Sequence, residues 1–252
     1  LSWQVTARDS FSTTHEASEI VTDLFTGGVT NRVHRYTEVG SGLNYVNEMG
    51  QWVESQDLIE LATDGGAAAT RGPHKIYFAA NLNSADPITL VTISNRVFRP
   101  RLLCLAYYDA GSGKAVVLSK LKDNVGELLP PNQVVYKSAF AAIEADVRYT
   151  ATKAAFESDV ILRQKPPPPD AFGLNPSTTR LEVWHDFGDV PAPNRKSRPV
   201  APDLADEILD FGDLWFPTGA AYWSAGSVAR DTDTAAATRI PDFRSSSDSL
   251  PV

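Results

Sequence analysis

The segment from Gln133 to Arg163 constrains this chain more than any other. Two runs within it alternate apolar and polar residues with a period of two, and a short break separates them. Val147, Tyr149 and Ala151 fall on one face of the first run, with Asp146, Arg148, Thr150 and Thr152 on the other. After Lys153-Ala154-Ala155 the alternation resumes. Phe156, Ser158, Val160 and Leu162 then form one row, and Glu157, Asp159 and Arg163 lie opposite it, with Ile161 as the exception on that side. Such alternation on both sides of a short break predicts an antiparallel hairpin with one buried face. A turn centred on Lys153-Ala154 sets Val147 across from Val160 and Arg148 across from Asp159. Cross-strand pairs are worth about 0.2–1 kcal/mol each, so they fix register more than stability.

The same stretch carries a family resemblance. Val135-Tyr136-Lys137-Ser138-Ala139-Phe140, then Ala145-Asp146-Val147-Arg148-Tyr149, then Phe156-Glu157-Ser158-Asp159-Val160-Ile161-Leu162 resembles a recurring block in large secreted bacterial surface proteins, the Rhs or YD-repeat proteins and their cell-wall-associated relatives. The resemblance spans some thirty residues, those just quoted and their links. It implies a β-rich module upstream of repeats, with no enzymatic motif, secreted or at the cell surface. In that family more strand follows a segment like Ile240-Pro241-Asp242.

The rest of the chain is punctuated like an all-β protein. Val33–Val39 alternates and ends at Gly40-Ser41-Gly42; Leu43–Val46 and Gln51–Glu54 read as a hairpin in which Gly50 takes a positive φ and Trp52 buries its ring. Further short strands are expected at Leu58–Leu61, His74–Ala80, Ile88–Ile93 and Arg96–Phe98, with loops at Asp64–Pro73 and Asn81–Pro87. Arg101–Tyr108 and Ala115–Leu121 flank a Gly-rich tip, and Thr179–Phe187 is a strand carrying Trp184. Ser138–Ala145 is the one helical alternative. Strands at spacings near ten residues argue for a large antiparallel β-sandwich, supersandwich-like, with an extended amino-terminal arm and Pro-rich loops. The expected organisation is an arm over 1–30, a single sandwich domain over 31–230 and a flexible tail over 231–252. Pro166-Pro167-Pro168-Pro169 removes four donors in succession and cannot be a central strand. A second Pro-rich stretch runs from Val190 to Pro202.

Composition narrows the partners. The 252 residues carry a formal net charge of −8, and an acidic surface without a basic stripe disfavours nucleic acid. No apolar run approaches the about 18 residues that span a bilayer, so no membrane insertion is expected. Leu1 is not an initiator Met, and the chain is expected to begin after a cut. Cys104 is the sole cysteine and sits in Leu102-Leu103-Cys104-Leu105-Ala106, which reads as a buried, inert thiol.

Candidate chemistry is sparse. Gly111-Ser112-Gly113-Lys114 ends like a phosphate-binding loop, yet Tyr108 and Ala115 stand where that motif needs Gly and Ser or Thr; it reads as a hairpin turn. Glu144/Asp146 and Glu157/Asp159 are carboxylate pairs at the spacing of a glycosidase dyad, roughly 5–9.5 Å. Arg148 beside Glu157 and Asp159 favours structural ion pairing over a raised pKa. His15, His34, His74 and His185 show no zinc spacing, and Trp184-His185-Asp186 lacks a nucleophile elbow. Asp203, Asp206, Glu207, Asp210 and Asp213 invite calcium, but their spacing matches no calcium loop and reads as a helical turn with a solvated acidic face. Trp215, Phe216, Tyr222 and Trp223 gather within nine residues, either as core or, with Trp215, Tyr222 and Trp223 exposed, as a sugar-stacking platform.

The expectation is a non-enzymatic structural or interaction module with no catalytic residue, metal or cofactor. Its partners are the rest of a larger polypeptide or other copies of itself. Two alternatives stand beside it: a carbohydrate-binding or carbohydrate-processing sandwich, with a glycan as partner, and a self-assembling subunit that pairs through edge strands or terminal segments.

Overall fold

The computed structural model describes residues 1–188, 190–201, 204–217, 219 and 221. Within them the protein is mainly β: twenty antiparallel strands, one short 3-10 turn and no α-helix. Strands β1 (Gln4–Arg8), β2 (Ser12–Thr22) and β3 (Val29–Val39) form a three-stranded sheet in that order. β4 (Asn44–Val46) and β5 (Trp52–Glu54) make a hairpin whose turn uses Gly50 at φ 75°. β6 (Glu60–Leu61), β7 (Ala67–Ala69), β8 (Lys75–Phe78), β9 (Ile88–Val91) and β10 (Val97–Phe98) form a five-stranded meander. β11 (Arg101–Asp109) lies between β12 (Lys114–Lys120) and β17 (Thr179–Asp186). A four-stranded meander comprises β13 (Glu127–Leu129), β14 (Gln133–Tyr136), β15 (Ala145–Ala151) and β16 (Phe156–Leu162), and β18 (Asn194–Ala201), β19 (Leu204–Asp210) and β20 (Trp215–Phe216) close the described chain.

The two meanders pack face to face, sandwich-like, around the hairpin that dominates the sequence. β15 pairs β16 with Val147 opposite Val160 and Arg148 opposite Asp159, the expected register. Ala145, Val147, Tyr149 and Ala151 are all buried, because the pleat sends every second residue of β15 to the same side. Tyr149 is the hub: its ring lies 5.5 Å from Phe156 and 6.1 Å from both Tyr136 and Phe78, so it joins the two meanders. The Tyr136 hydroxyl crosses the same boundary and donates to the Ala79 carbonyl at 2.6 Å. Each fully buried side chain of this size contributes about 1.5–3 kcal/mol.

The tetraproline segment lies over β11, where the Tyr107 hydroxyl donates to the Pro167 carbonyl at 2.8 Å and the Tyr107 ring meets Phe172 edge-on. The carboxy-terminal sheet is held by Phe211, which packs on Phe98, Phe187 and Phe216. Beside it Asp213 accepts from the hydroxyls of Thr92 and Ser94 and pairs with Arg96 at 3.1 Å.

Several expectations are corrected. The acidic run is not a helical turn: Leu204–Asp210 is strand β19, because its neighbour Asn194–Ala201 pairs along it and buries Leu209. Asp203 lies outside the described residues. Ser138–Ala145 is not helical either; Ser138 has φ 49°, held there by an Asp146 carboxylate that accepts its N–H at 2.8 Å. Trp52 keeps its side chain exposed, since the short β4–β5 hairpin has no layer over that face. The expected loop 64–73 contains β7, which Gly66 permits by letting the chain approach the Phe78 carbonyl more closely than a Cβ would allow. Residues 1–30, expected as an extended arm, are extended and pair as β1, β2 and the start of β3. The boundary expected between 30 and 31 therefore falls inside β3. The tail over 231–252 lies outside the described residues.

Candidate functional site

The sequence-predicted residues occupy separate places. Trp215 stands on β20 with 62% of its surface exposed, while Tyr222 and Trp223 lie outside the described residues. Arg148 donates to the Asp159 carboxylate through Nε at 3.1 Å and Nη2 at 2.8 Å, as structural ion pairing requires. Glu157 is exposed opposite Thr150, and Glu144 is exposed too, so neither completes a dyad with a buried acid. Asp146 is buried and bound by Arg163 as well as Ser138. Burial alone would raise its carboxyl, but the Ser138 N–H, the Arg163 guanidinium and the charge of Lys137 outweigh it and hold the pKa below the usual value.

Three further chemistry-bearing groups, Cys104, His185 and Asp109, are closed off. The Cys104 thiol is buried and pushed up to about 11 by desolvation, which makes it a poor nucleophile. His185 sits in β17 opposite Leu102, and burial pushes its imidazole down to about 4. Its neighbour Asp186 pairs instead with Arg101 at 3.3 Å. Asp109, at the mouth of the Gly111–Lys114 turn, is lowered to about 2 by the hydroxyls of Ser112 and Thr178 and by the Gly111 N–H. The glycine-rich tip is thus a hairpin turn with its own acceptor inside it. Among the described residues no three His, Cys, Asp or Glu side chains converge as metal ligands.

The surface that sequence reading missed is the β1–β3 sheet. β2 and β3 pair over eleven positions, from Ser12 opposite Val39 to Thr22 opposite Val29. Only the near half of β2 packs on the body, where Thr13 and Ala17 are buried. Beyond Ala17 the hairpin carries Ile20, Val29 and Val33 exposed on one face, and Leu24 and Phe25 at its tip are 94% and 100% exposed. The tip is built, not slack. The Asp23 carboxylate accepts from the backbone N–H of Phe25 at 2.8 Å and of Thr26 at 3.1 Å, and Gly27 at φ 68° closes the turn onto the Asp23 carbonyl. Those N–H groups lower the Asp23 pKa, the Phe25 bond most.

The other face of this sheet is aromatic and polar. His15 stacks on Tyr36 at 4.6 Å, and Trp3 meets Tyr36 edge-on at 4.8 Å. At the base of the sheet a cavity of about 110 Å³ is lined by Arg8, Thr13, His15, Glu38, Leu43 and Glu54. Arg8 is tied to Asn44 at 2.5 Å and lies 3.8 Å from Glu54, whereas the buried His15 Nε2 has no hydrogen-bond partner and stands 3.9 Å from Glu38. Alternation from Val33 to Val39 signalled β3 in the sequence, but nothing there signalled how far the hairpin projects.

No family model, no curated protein and no solved structure matches this chain.

Proposed function

We propose that this chain is a non-enzymatic contact module of a larger exported bacterial surface protein, and that it makes contact through the β1–β3 sheet. One observation carries the reading: an ordered hairpin that projects past the core with Ile20, Leu24, Phe25, Val29 and Val33 all exposed. Clustered apolar side chains at the end of a built turn are the mark of a surface that something else covers. The Rhs-like block over β14–β16 fits that context, since a scaffold of this kind needs a stable sandwich and a protruding element. Two measurements test it. The flanking coding sequence is expected to hold an export signal upstream and repeats downstream, and a panel of glycan and ester substrates is expected to show no turnover. Turnover abolished by a single carboxylate substitution overturns the reading.

A carbohydrate-binding role is the second reading, favoured by the exposed ring of Trp215. Titration with neutral oligosaccharides, followed by indole fluorescence, is expected under it to respond in the native chain and not in Trp215→Ala.

A further inference from the structure

The open side of β3 has a backbone pattern that can be worked out residue by residue. The Asp23 N–H bonds to the Gly28 carbonyl at one end of the β2–β3 ladder, and the Gly40 N–H to the Phe11 carbonyl at the other, both at 2.9 Å. In an antiparallel ladder hydrogen-bonded and non-hydrogen-bonded pairs alternate. The even-numbered residues of β3 therefore spend their backbone groups on β2. Val29, Asn31, Val33, Arg35, Thr37 and Val39 direct theirs outward. Among the described residues no strand pairs with that side, since β3 ends its sheet.

An edge of eleven residues is long, and this one holds no proline and no bulge. The opposite edge differs: β1 is five residues long and bulged between Val5 and Ala7. The sheet can thus grow on one side only, which leads to a closed pair and not to a fibre.

The charges along β3 decide the occupant. Among the described residues Arg32 has no hydrogen-bond or ion-pair partner and Glu38 pairs with no Lys or Arg, the His15 ring standing 3.9 Å from its carboxylate. Arg35, midway between them, is already neutralised by Glu16, which accepts from its Nε at 2.6 Å. Two copies placed antiparallel about Arg35 set Arg32 of each opposite Glu38 of the other, and Val33 opposite Thr37. The same register makes Val33 and Val39 diagonal neighbours across the two-fold, so two exposed apolar residues cover each other.

We propose that β3 is the seat of a symmetric homodimer, in which the two β1–β3 sheets join edge to edge into one six-stranded sheet centred on Arg35. This deepens, and rests on, the contact-module reading, by naming a second copy of the chain as the occupant.

Light scattering and sedimentation of the intact chain test it. Twice the chain mass is expected. Val33→Pro removes an N–H that points outward and so leaves the β2–β3 ladder intact, yet it blocks pairing; the variant is expected to stay folded by circular dichroism and to weaken dimerisation at least tenfold. Val33→Lys, which keeps the N–H and adds an edge charge, is expected to weaken it in the same direction. Arg32→Glu is expected to weaken the dimer about tenfold, and Arg32→Glu combined with Glu38→Arg to restore it, because the pairing is reciprocal. A native chain that is monomeric throughout the micromolar range overturns the dimer, and so does a dimer unaffected by Val33→Pro. A dimer that the double charge exchange fails to restore overturns the register. None of these failures touches the contact reading, which the flanking coding sequence and substrate turnover test.

Discussion

Asp146 is the buried charge on which the central hairpin depends, and its removal should be felt in parts that can be separated. The residue is 4% exposed; its carboxylate accepts from the Ser138 N–H at 2.8 Å and from Arg163 Nε at 2.8 Å, with Arg163 Nη2 on the same oxygen as Nε. Asp146→Ala leaves the Ser138 N–H without an acceptor, a loss of about 1–3 kcal/mol for a buried donor. It also deletes an ion pair whose arginine is half exposed, worth about 1 kcal/mol because that guanidinium returns to water easily. The expected total is about 2–4 kcal/mol. Asp146→Asn retains an oxygen for Ser138 and should cost only about 1 kcal/mol. Urea titration followed by tryptophan fluorescence, with an unchanged denaturant slope, measures both. The pH dependence has a definite sign. The folded-state carboxyl lies below its ordinary value, so its stabilisation is complete above the unfolded pKa of 3.8 and disappears as acid takes the pH down through the folded value. The gap between native chain and Asp146→Ala should therefore narrow below about pH 4, by the charge part only, since the neutral acid keeps an oxygen for Ser138. An Asp146→Asn variant as damaged as Asp146→Ala would refute the division between acceptor and charge. An Asp146→Ala variant as stable as the native chain would refute the whole assignment.

Three further outcomes are expected. Gly42→Ala should destabilise by at least about 2 kcal/mol in the same urea titration, because Gly42 sits at φ 67° and a Cβ there would overlap the Lys153 carbonyl. Native Cys104 should resist alkylation at pH 8 and react only as the chain unfolds, since burial holds its thiol at about 11; rapid labelling of the folded chain would contradict the buried assignment. His185 is held neutral, with its pKa lowered from 6.5 to about 4, so the unfolded chain takes up the proton first and stability should fall as pH drops from 6.5 towards 4. The loss is at most about 3 kcal/mol, and His185→Gln should flatten the profile in that window.

What could be read from the sequence follows how many faces of each strand are buried. β15 and β16 were legible to the residue because one face of each meets the core and the other meets solvent. A one-residue slip would have buried Arg148 and exposed Val147. The β4–β5 and β11–β12 hairpins were legible for a related reason, their turns being marked by Gly50 and Gly113 at positive φ. β2 failed the same test. Its far half has two solvated faces, so Ser18, Glu19, Ile20, Val21 and Thr22 show no hydrophobic period at all. β19 misled in the opposite sense: Leu204, Ile208 and Leu209 fall at helical spacing, and only pairing with β18, a contact the local sequence does not encode, makes them a strand. Trp215 was legible as an aromatic, but its exposure depended on which layers happen to cover β20.

The contrast between the two ends of the molecule gives the contact reading its physical basis. In the body, three carboxylates, two buried and one half-buried, are closed by near neighbours: Asp109 by Ser112 and Thr178, Asp213 by Thr92 and Ser94, Asp146 by Ser138 and Arg163. Leaving such a group open costs about 1–3 kcal/mol, so this closure stabilises the fold and leaves those residues nothing to offer a partner. The β1–β3 sheet has the reverse arrangement. Its outward backbone groups on β3, and Arg32, which has no partner among the described residues, are satisfied by water, while the apolar Leu24 and Phe25 stay exposed to it; each becomes an interaction when another surface displaces that water. A hairpin held rigid by Asp23 and Gly27 has already lost its turn entropy, so a partner need not order it. Stability therefore resides in the sandwich, and binding capacity in the projecting sheet. Substitutions at Leu24, Phe25 or Val33 should change association while leaving the unfolding midpoint of the isolated chain in place.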